Sequence, residues 1–235
     1  MRRSVGTVLA ALTLSLAAAC GTGGTLTPSE VSALRLYNAS PDSPPVDIFL
    51  RGGQVAQGLA YAHGMFYIYV NPGTNQLLEV RDNVTDAVLL DYTTSLTNGT
   101  AYTFAMAGLS GSRQGVLFTD DTSAAAAGNF KVRLLHLAPL GPAMDLYITD
   151  PSTDLNTVTP VATGITYTNA SAYVAAPIGT KLIQLTQSGT TTVLCTAGPI
   201  DFTTGQSVTM FFVGAAGAAG GGAPYTCTPL VADHS

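Results

Sequence analysis

The chain has 235 residues and a formal net charge of −5, with 10% charged and 46% hydrophobic residues. An acidic chain this sparsely charged lacks the basic patch or stripe expected of a nucleic-acid binder, which sets that class aside. Its three cysteines have neither C-x-x-C spacing nor a nearby histidine, which argues against zinc.

The first twenty residues read as an export signal. Arg2 and Arg3 give a positive start, Val8 to Ala19 is a short apolar stretch, and Ala17, Ala18 and Ala19 lead directly into Cys20. Such a stretch is too short for a bilayer, which takes about 20 apolar residues. The charged start and small-residue end fit a cleaved leader. The arrangement resembles the bacterial lipoprotein signal, in which the cysteine sulfur takes a diacylglyceryl group and becomes residue one after cleavage. Ala17 stands where that signal usually has leucine, which here sits one place earlier at Leu16. The resemblance implies lipidation at Cys20 and a membrane-anchored, extracytoplasmic protein, on a bacterial outer membrane or the outer face of the cell membrane. The alternative is an ordinary secretory signal cleaved after Ala-x-Ala. Residues 1–19 are thus read as signal peptide and 20–32 as a lipidated tether of Gly, Thr, Pro and Ser. The twelve residues Gly21 to Ser32 reach at most about 40 Å. Loss of Arg2 and Arg3 takes the net charge to about −7.

Beyond the tether the chain repeats itself. Leu34 to Leu50 (LRLYNASPDSPPVDIFL) aligns without a gap on Val132 to Ile148 (VRLLHLAPLGPAMDLYI), 98 residues later. Arg35 matches Arg133, Leu36 matches Leu134, Pro41 matches Pro139, Pro44 matches Pro142 and Asp47 matches Asp145. The offset then becomes 106, pairing Gly58, Tyr61, Tyr67 and Gly73 with Gly164, Tyr167, Tyr173 and Gly179. An insertion near Asp150 to Asn156 accounts for the change. LTNGTAYTFAMAG (Leu96 to Gly108) lies over FTTGQSVTMFFVG (Phe202 to Gly214). Two copies are too few for a solenoid, so residues 33–121 and 130–235 read as two similar domains joined by a flexible Ala/Gly connector, 122–129.

Short runs of Val, Ile, Thr, Tyr and Phe between Gly, Pro and Asn signals predict an all-β fold. In the first copy the expected strands are Ala33–Asn38, Val46–Arg51, Met65–Val70, Gln76–Arg81, Ala87–Thr93 and Ala101–Ala107, with an edge strand at Gly115–Thr119. Asn98-Gly99 reads as a type I′ hairpin turn, and Asn71-Pro72-Gly73 as another turn. The expected architecture is two tandem Ig-like or transthyretin-like antiparallel β-sandwich domains. The Gly/Ala tract from Gly214 to Gly222 interrupts the second copy, and Tyr225 to Val231 is the expected counterpart of the edge strand.

The blocks NASPDSPPVDIFL and HLAPLGPAMDLYI resemble the DUF4397 domain family, in which a strand, a Pro-containing loop and a Val-Asp strand open each domain. The Tyr67 and Tyr173 strands, the Gly73-Thr74 and Gly179-Thr180 turns and the passage DDTSAAAAGNFKVRLLH continue the likeness, which covers Ala33 to Val231. It implies fold and location and supplies no catalytic residue, because the family has no assigned activity. The second copy departs from it at Leu140, which replaces an acidic residue, so a ligand site that used Asp42 would not be duplicated.

Candidate chemistry is sparse. With Cys20 lipidated, Cys195 and Cys227 remain as a disulfide pair in an oxidising compartment, closing a ring of 33 residues. The alternative is two unpaired thiols. Arg35/Arg133 and Asp47/Asp145 could form a paired polar site on the face opposite each strand's apolar stripe. The structural alternative is that each Asp accepts backbone N–H bonds in the Pro loop or pairs with Arg across neighbouring strands. Asp42, Asp47 and Asp120-Asp121 supply no loop of alternating oxygen ligands for calcium. His63, His136 and His234 are scattered, and only His136 lies in a repeated block, opposite Asn38. Tyr67 and Tyr69, alternating with Phe66 and Ile68, place two aromatic hydroxyls on one face. They are either packing residues or a binding strip.

No G-x-S-x-G, H-E-x-x-H or P-loop motif is present. The expectation is a non-enzymatic, lipid-anchored envelope module for binding, adhesion or structure, without cofactor or metal. Its partners are the membrane, through the Cys20 lipid, and an envelope protein or polysaccharide. The alternatives are a carbohydrate-binding accessory lipoprotein using Tyr69 and Asp42, or an extracytoplasmic hydrolase with a site at the domain junction.

Overall fold

Val46, Ile48 and Leu50 are buried, and Asp47 and Phe49 between them are half-buried. That period of two marks a strand with one face on a core, and it organises the computed structural model, which describes residues 30–215 and 224–232. The predicted signal peptide, Cys20, most of the tether, most of the Gly/Ala tract and His234 lie outside the described residues.

The first half contains β1 (Ser32–Asn38), β2 (Val46–Leu50), β3 (Gly53–Leu59), β4 (His63–Gly64), β5 (Ile68–Val70), β6 (Gly73–Asp82), β7 (Val88–Leu96), β8 (Ala101–Ala107) and β9 (Gln114–Asp120). The second contains β10 (Asn129–His136), β11 (Met144–Thr149), β12 (Ala162–Ile165), β13 (Val174–Pro177), β14 (Gly179–Gln187), β15 (Val193–Phe202), β16 (Ser207–Val213) and β17 (Thr226–Ala232). One sheet of the first half runs β4-β1-β8-β9, with β5 also on β1, and the other runs β3-β2-β6-β7. The second half repeats both orders as β13-β10-β16-β17 and β12-β11-β14-β15. The fold is all-β, and the Asp150–Asn156 insertion adds a single 3₁₀ turn, Leu155–Thr157, capped by the Asp154 side chain.

Each half is a sandwich with its own core, and the two sandwiches pack through their first-listed sheets. In β1, Leu34 and Leu36 join the first core, whereas Tyr37 faces the other sandwich. In β16, Val208, Met210 and Phe212 join the second core, and Phe211 and Val213 face back across the junction. Strands β8 and β16 therefore bury every residue, which is why AYTFAMA and SVTMFFV lack the polar–apolar alternation of a half-buried strand and carry few polar residues besides the junction threonines Thr103 and Thr209. Tyr37 and Phe211 stack across the junction with ring centroids 3.9 Å apart.

Several local expectations need correction. The sheets are not wholly antiparallel: β1 pairs with β8, and β10 with β16, in parallel. These are the first and next-to-last strands of each sandwich, joined through everything between them rather than by a hairpin. The strand expected over Met65–Val70 is split, because Met65 N–H donates to Leu36 O and regular pairing resumes only at Ile68. Strand β3 was not anticipated. Its glycines weaken a strand signal, and Gly58 takes a positive φ of 59° where the β2–β3 register shifts. Asn98-Gly99 is not a type I′ hairpin: Gly99 has φ 70°, Asn98 has no positive φ, and the turn joins β7 to β8, which lie in different sheets. The 122–129 connector, read as flexible, is tied down by Ala125 N–H to Gly205 O and Asn129 N–H to Ala126 O.

Cys195 of β15 and Cys227 of β17 form a disulfide with Cα atoms 5.9 Å apart. It joins the two sheets of the second sandwich. The equivalent place on β9 is Gly115, where an added Cβ would lie 2.6 Å from the Tyr92 ring and 2.8 Å from Phe104. The first sandwich thus fills with aromatic rings what the second closes with sulfur. The cysteines are 32 residues apart, so a Cys195→Ser/Cys227→Ser protein is expected to lose roughly 3–4 kcal/mol of unfolding free energy, read from urea denaturation. A loss below about 1 kcal/mol would show that the β16–β17 ladder alone holds the C-terminal strand.

Candidate functional site

The densest polar cluster among the described residues lies inside the junction between the sandwiches. Period two directs Arg35 of β1, Thr103 of β8, Arg133 of β10 and Thr209 of β16 towards it, and β9 contributes Asp120. Arg35 and Arg133 are 2% and 3% exposed, and the Asp120 side chain is fully enclosed. Arg35 donates to Thr103 Oγ1 from Nε and Nη2 (3.1 and 2.9 Å) and to Thr209 Oγ1 (2.9 Å). Arg133 donates to Thr209 Oγ1 (3.3 Å), to Thr119 O (2.9 Å) and to Asp120 Oδ1. The Thr103 hydroxyl in turn donates a hydrogen bond to Asp120 Oδ2 at 2.6 Å, and Tyr67 donates to the same oxygen at 2.5 Å. Arg35 Nη2 completes the set 3.6 Å from Asp120 Oδ2.

Each guanidinium also lies over a tyrosine of its own sandwich, Arg35 over Tyr67 and Arg133 over Tyr173, both at 4.9 Å from the ring centroid. Burial pushes the Tyr67 phenol well above its ordinary range, so it remains a neutral donor. Two guanidiniums therefore share one carboxylate. Beside them Lys131 pairs with Asp121 at 2.6 Å, and that lysine, with Ser123, holds the Asp121 carboxyl down at about 2. Both junction carboxylates are thus engaged by cations. A depression of about 470 Å³ opens on the flank of the junction, bordered by Arg133, Asp121, Ser171 and Tyr173.

Asp47 and Asp145 do something different, and the same thing as each other. Asp47 Oδ1 accepts from Gly58 N–H at 2.8 Å, and Asp145 Oδ1 accepts from Gly164 N–H at 2.8 Å. Both glycines sit at positive φ, 59° and 67°, where the paired strands shift register. The carboxylate bonds a backbone N–H exposed at the bulge. The donors lie neither in the Pro loop nor on Arg35 and Arg133, because β1 and β2 belong to opposite sheets of the sandwich. Asp145 takes a second bond from Gly189 N–H at 2.9 Å, and Asp47 one from Gln54 Nε2 at 3.1 Å.

Asp42 ties two loops of the first sandwich together. It accepts from Ser110 N–H at 2.8 Å and pairs with Arg113 at 3.2 Å. Tyr67 and Tyr69 differ in exposure: the Tyr67 hydroxyl, just before β5, bonds Asp120 in the junction, whereas Tyr69, opposite Ala33 of β1, and Phe66 are each 74% exposed. His136 is buried edge-on against Phe212 at 5.0 Å. Its Nε2–H donates to Pro142 O at 2.8 Å, leaving Nδ1 without a partner. The residues that sequence reading did not assign to the junction are Thr103, Thr209 and Asp120. The threonines occupy matching places in the two long aligned blocks, which was the available signal. Asp120 has no such mark, since the matching β17 position is Ala232.

Asp120→Asn would leave two buried guanidiniums without a counter-ion, with an expected loss of about 3–5 kcal/mol in chemical denaturation. Asp121→Asn, on a half-exposed carboxylate, should cost no more than about 1 kcal/mol. Equal effects would remove the buried charge from its assigned role. For His136, burial lowers the folded pKa below the ordinary 6.5. The unfolded chain then binds the proton first, so stability is held above about pH 6.5 and lost as pH falls through the folded value. His136→Asn, which installs the residue of the equivalent position Asn38, should flatten the fall in urea midpoint between pH 7 and 5. An unchanged slope would locate the acid sensitivity elsewhere.

No curated protein matches the chain. Among solved structures it is similar to the crystal structure of CBMbc (family CBM26) from Eubacterium rectale Amy13K in complex with maltoheptaose. The identity is 12% and the TM-score 0.26, covering 87% of this chain and 97% of that one. The family model of DUF4397, a domain of unknown function, matches residues 32–147, from the first residue of β1 into β11. A DUF4397 domain is thus found at residues 32–147, the whole of the first sandwich and the opening strands of the second.

Proposed function

We propose that this chain is a lipid-anchored protein of the cell envelope, in which two DUF4397-type sandwiches form one non-enzymatic module for binding, adhesion or structure. The observation that carries the reading is the destination of the repeated polar residues. Arg35 and Arg133 bond across the junction, and Asp47 and Asp145 bond bulge glycines. Groups that recur in both copies are thereby used to build the fold, which leaves them no free chemistry for a substrate. The repeated sheet order supports the second half as a second copy of the same domain. The leader ending in Ala17-Ala18-Ala19-Cys20 supports the anchor, since two or more acyl chains give durable attachment.

A carbohydrate-binding role is the second reading, and exposed Tyr69 and Phe66 favour it. The test has two arms. In a bacterial host, the full chain should take up labelled fatty acid and sediment with membranes, and Cys20→Ser should abolish both. Unlabelled, soluble protein would sink the anchor. In the second arm, immobilised Gly21–Ser235 is exposed to envelope extract. Saturable retention of a polysaccharide, lost in Tyr69→Ala, would favour the second reading over a protein-binding or structural module.

A further inference from the structure

The two copies share their junction and their bulges, and they differ on one exposed edge. Phe66 and Tyr69 are each 74% exposed. The offset of 106 that pairs Tyr67 with Tyr173 puts Ala172 and Ala175 at the equivalent places, and both alanines are also exposed. The fold is therefore built equally well without these rings. With Val84, these two rings are the most exposed large apolar side chains among the described residues.

Their position suggests a use. Strand β5 is an edge strand on β1, with Ser32 opposite Val70, Ala33 opposite Tyr69 and Leu34 opposite Ile68. Tyr69 thus lies one strand spacing, about 5 Å, from the second residue of the first strand. That is where the chain arrives from Cys20. Val31, just before β1, is itself 37% exposed. Twelve residues, Gly21 to Ser32, separate the cysteine from this edge, and they reach at most about 40 Å however they are arranged. A lipid on Cys20 would hold the aromatic edge permanently within reach of the bilayer, so that even a weak contact would be populated at high effective concentration. The sandwich that carries the tether has the rings, and the sandwich beyond the junction has alanine.

We propose that Phe66 and Tyr69, with Val31, form a membrane-contact edge that seats the first sandwich on the lipid surface into which Cys20 is anchored. Tyrosine suits the headgroup level, where an apolar ring and a polar tip are both satisfied, and phenylalanine adds apolar area beneath it. With an acidic chain, the contact is apolar rather than electrostatic. It operates on zwitterionic lipid and resists salt. The proposal rests on the lipid anchor and adds to it the orientation of the protein on the membrane.

The chain contains no tryptophan, so a single reporter can be placed at will. Phe66→Trp, Tyr69→Trp and Val84→Trp are made in the lipidated full-length protein. Val84 is 83% exposed in the turn where Asn83 N–H meets Pro45 O, at the other end of the first sandwich. Each protein is reconstituted into phosphatidylcholine vesicles carrying nitroxide-labelled acyl chains. The expected result is at least twofold stronger quenching at positions 66 and 69 than at 84, unchanged in 0.5 M salt. Equal quenching at all three positions, with the protein floating on the vesicles, would overturn the contact edge and leave the anchor standing. Protein that carries no acyl group and does not float would overturn both. Reporters at 66 and 69 that respond to soluble envelope polysaccharide and not to lipid would assign the edge to sugar instead.

Discussion

Asp120 and the two arginines that share it set the geometry on which the rest of the molecule depends. Burying three ions and two threonine hydroxyls between two sheets is costly unless each donor finds an acceptor. Here Thr103 both receives from Arg35 and donates to Asp120, relaying one carboxylate to two guanidiniums. Such a cluster would not by itself hold two sandwiches together, because water would solvate the same ions if they separated. The driving force comes from its surroundings. Tyr37 stacked on Phe211, with Ala105, Leu135 and Val213, removes apolar surface from water on both sides of the ions. The apolar contacts favour association, and the charged cluster selects the single register in which every group is bonded.

That junction explains features that would otherwise look unrelated. A strand covered on one face alternates, as Val46 to Leu50 does. A strand covered on both faces does not, and β8 and β16 are buried throughout because each lies between its own core and the facing sandwich. The 122–129 segment looks like a linker in composition, yet the sheets on either side already touch, so it has no gap to span. Lys131 and Asp121, at its edges, join the same polar layer.

The repeat was legible from the sequence because matched positions carry the same backbone requirement. Gly58 and Gly164, and Asp47 and Asp145, recur together since a positive φ at the glycine and an acceptor for its N–H are one local device. Their pairing was less visible, because 11 residues separate Asp47 from Gly58 while 19 separate Asp145 from Gly164. The partners of Arg35 were out of reach of local reading, as Thr209 lies 174 residues away on the other sandwich. Alternation gave the face each arginine occupies and not what that face meets. β3 escaped because Gly53 and Gly58, the second needed for the bulge, leave Val55 as its one β-branched residue. The Cys195–Cys227 disulfide was legible as the pair that remains once Cys20 is assigned to the expected export signal.

A duplicated fold separates what folding needs from what it tolerates. Positions that must be kept in both halves, the arginines, the bulge aspartates and the junction threonines, are tied to backbone geometry or to the junction. Departures then divide by burial. Gly115 against Cys227 sets the Tyr92 and Phe104 rings against the Cys195 disulfide, and Asn38 against His136 exchanges a hydrogen bond to Leu59 O for one to Pro142 O. Phe66 against Ala172 and Tyr69 against Ala175 have no such compensation, because both members of each pair stand in solvent and neither supports a core. A difference without a packing partner does not follow from the needs of the fold, and the lipid contact proposed above gives it a use. The tether arrives at that same edge, so the external surface nearest to those rings is the one that would hold the Cys20 lipid.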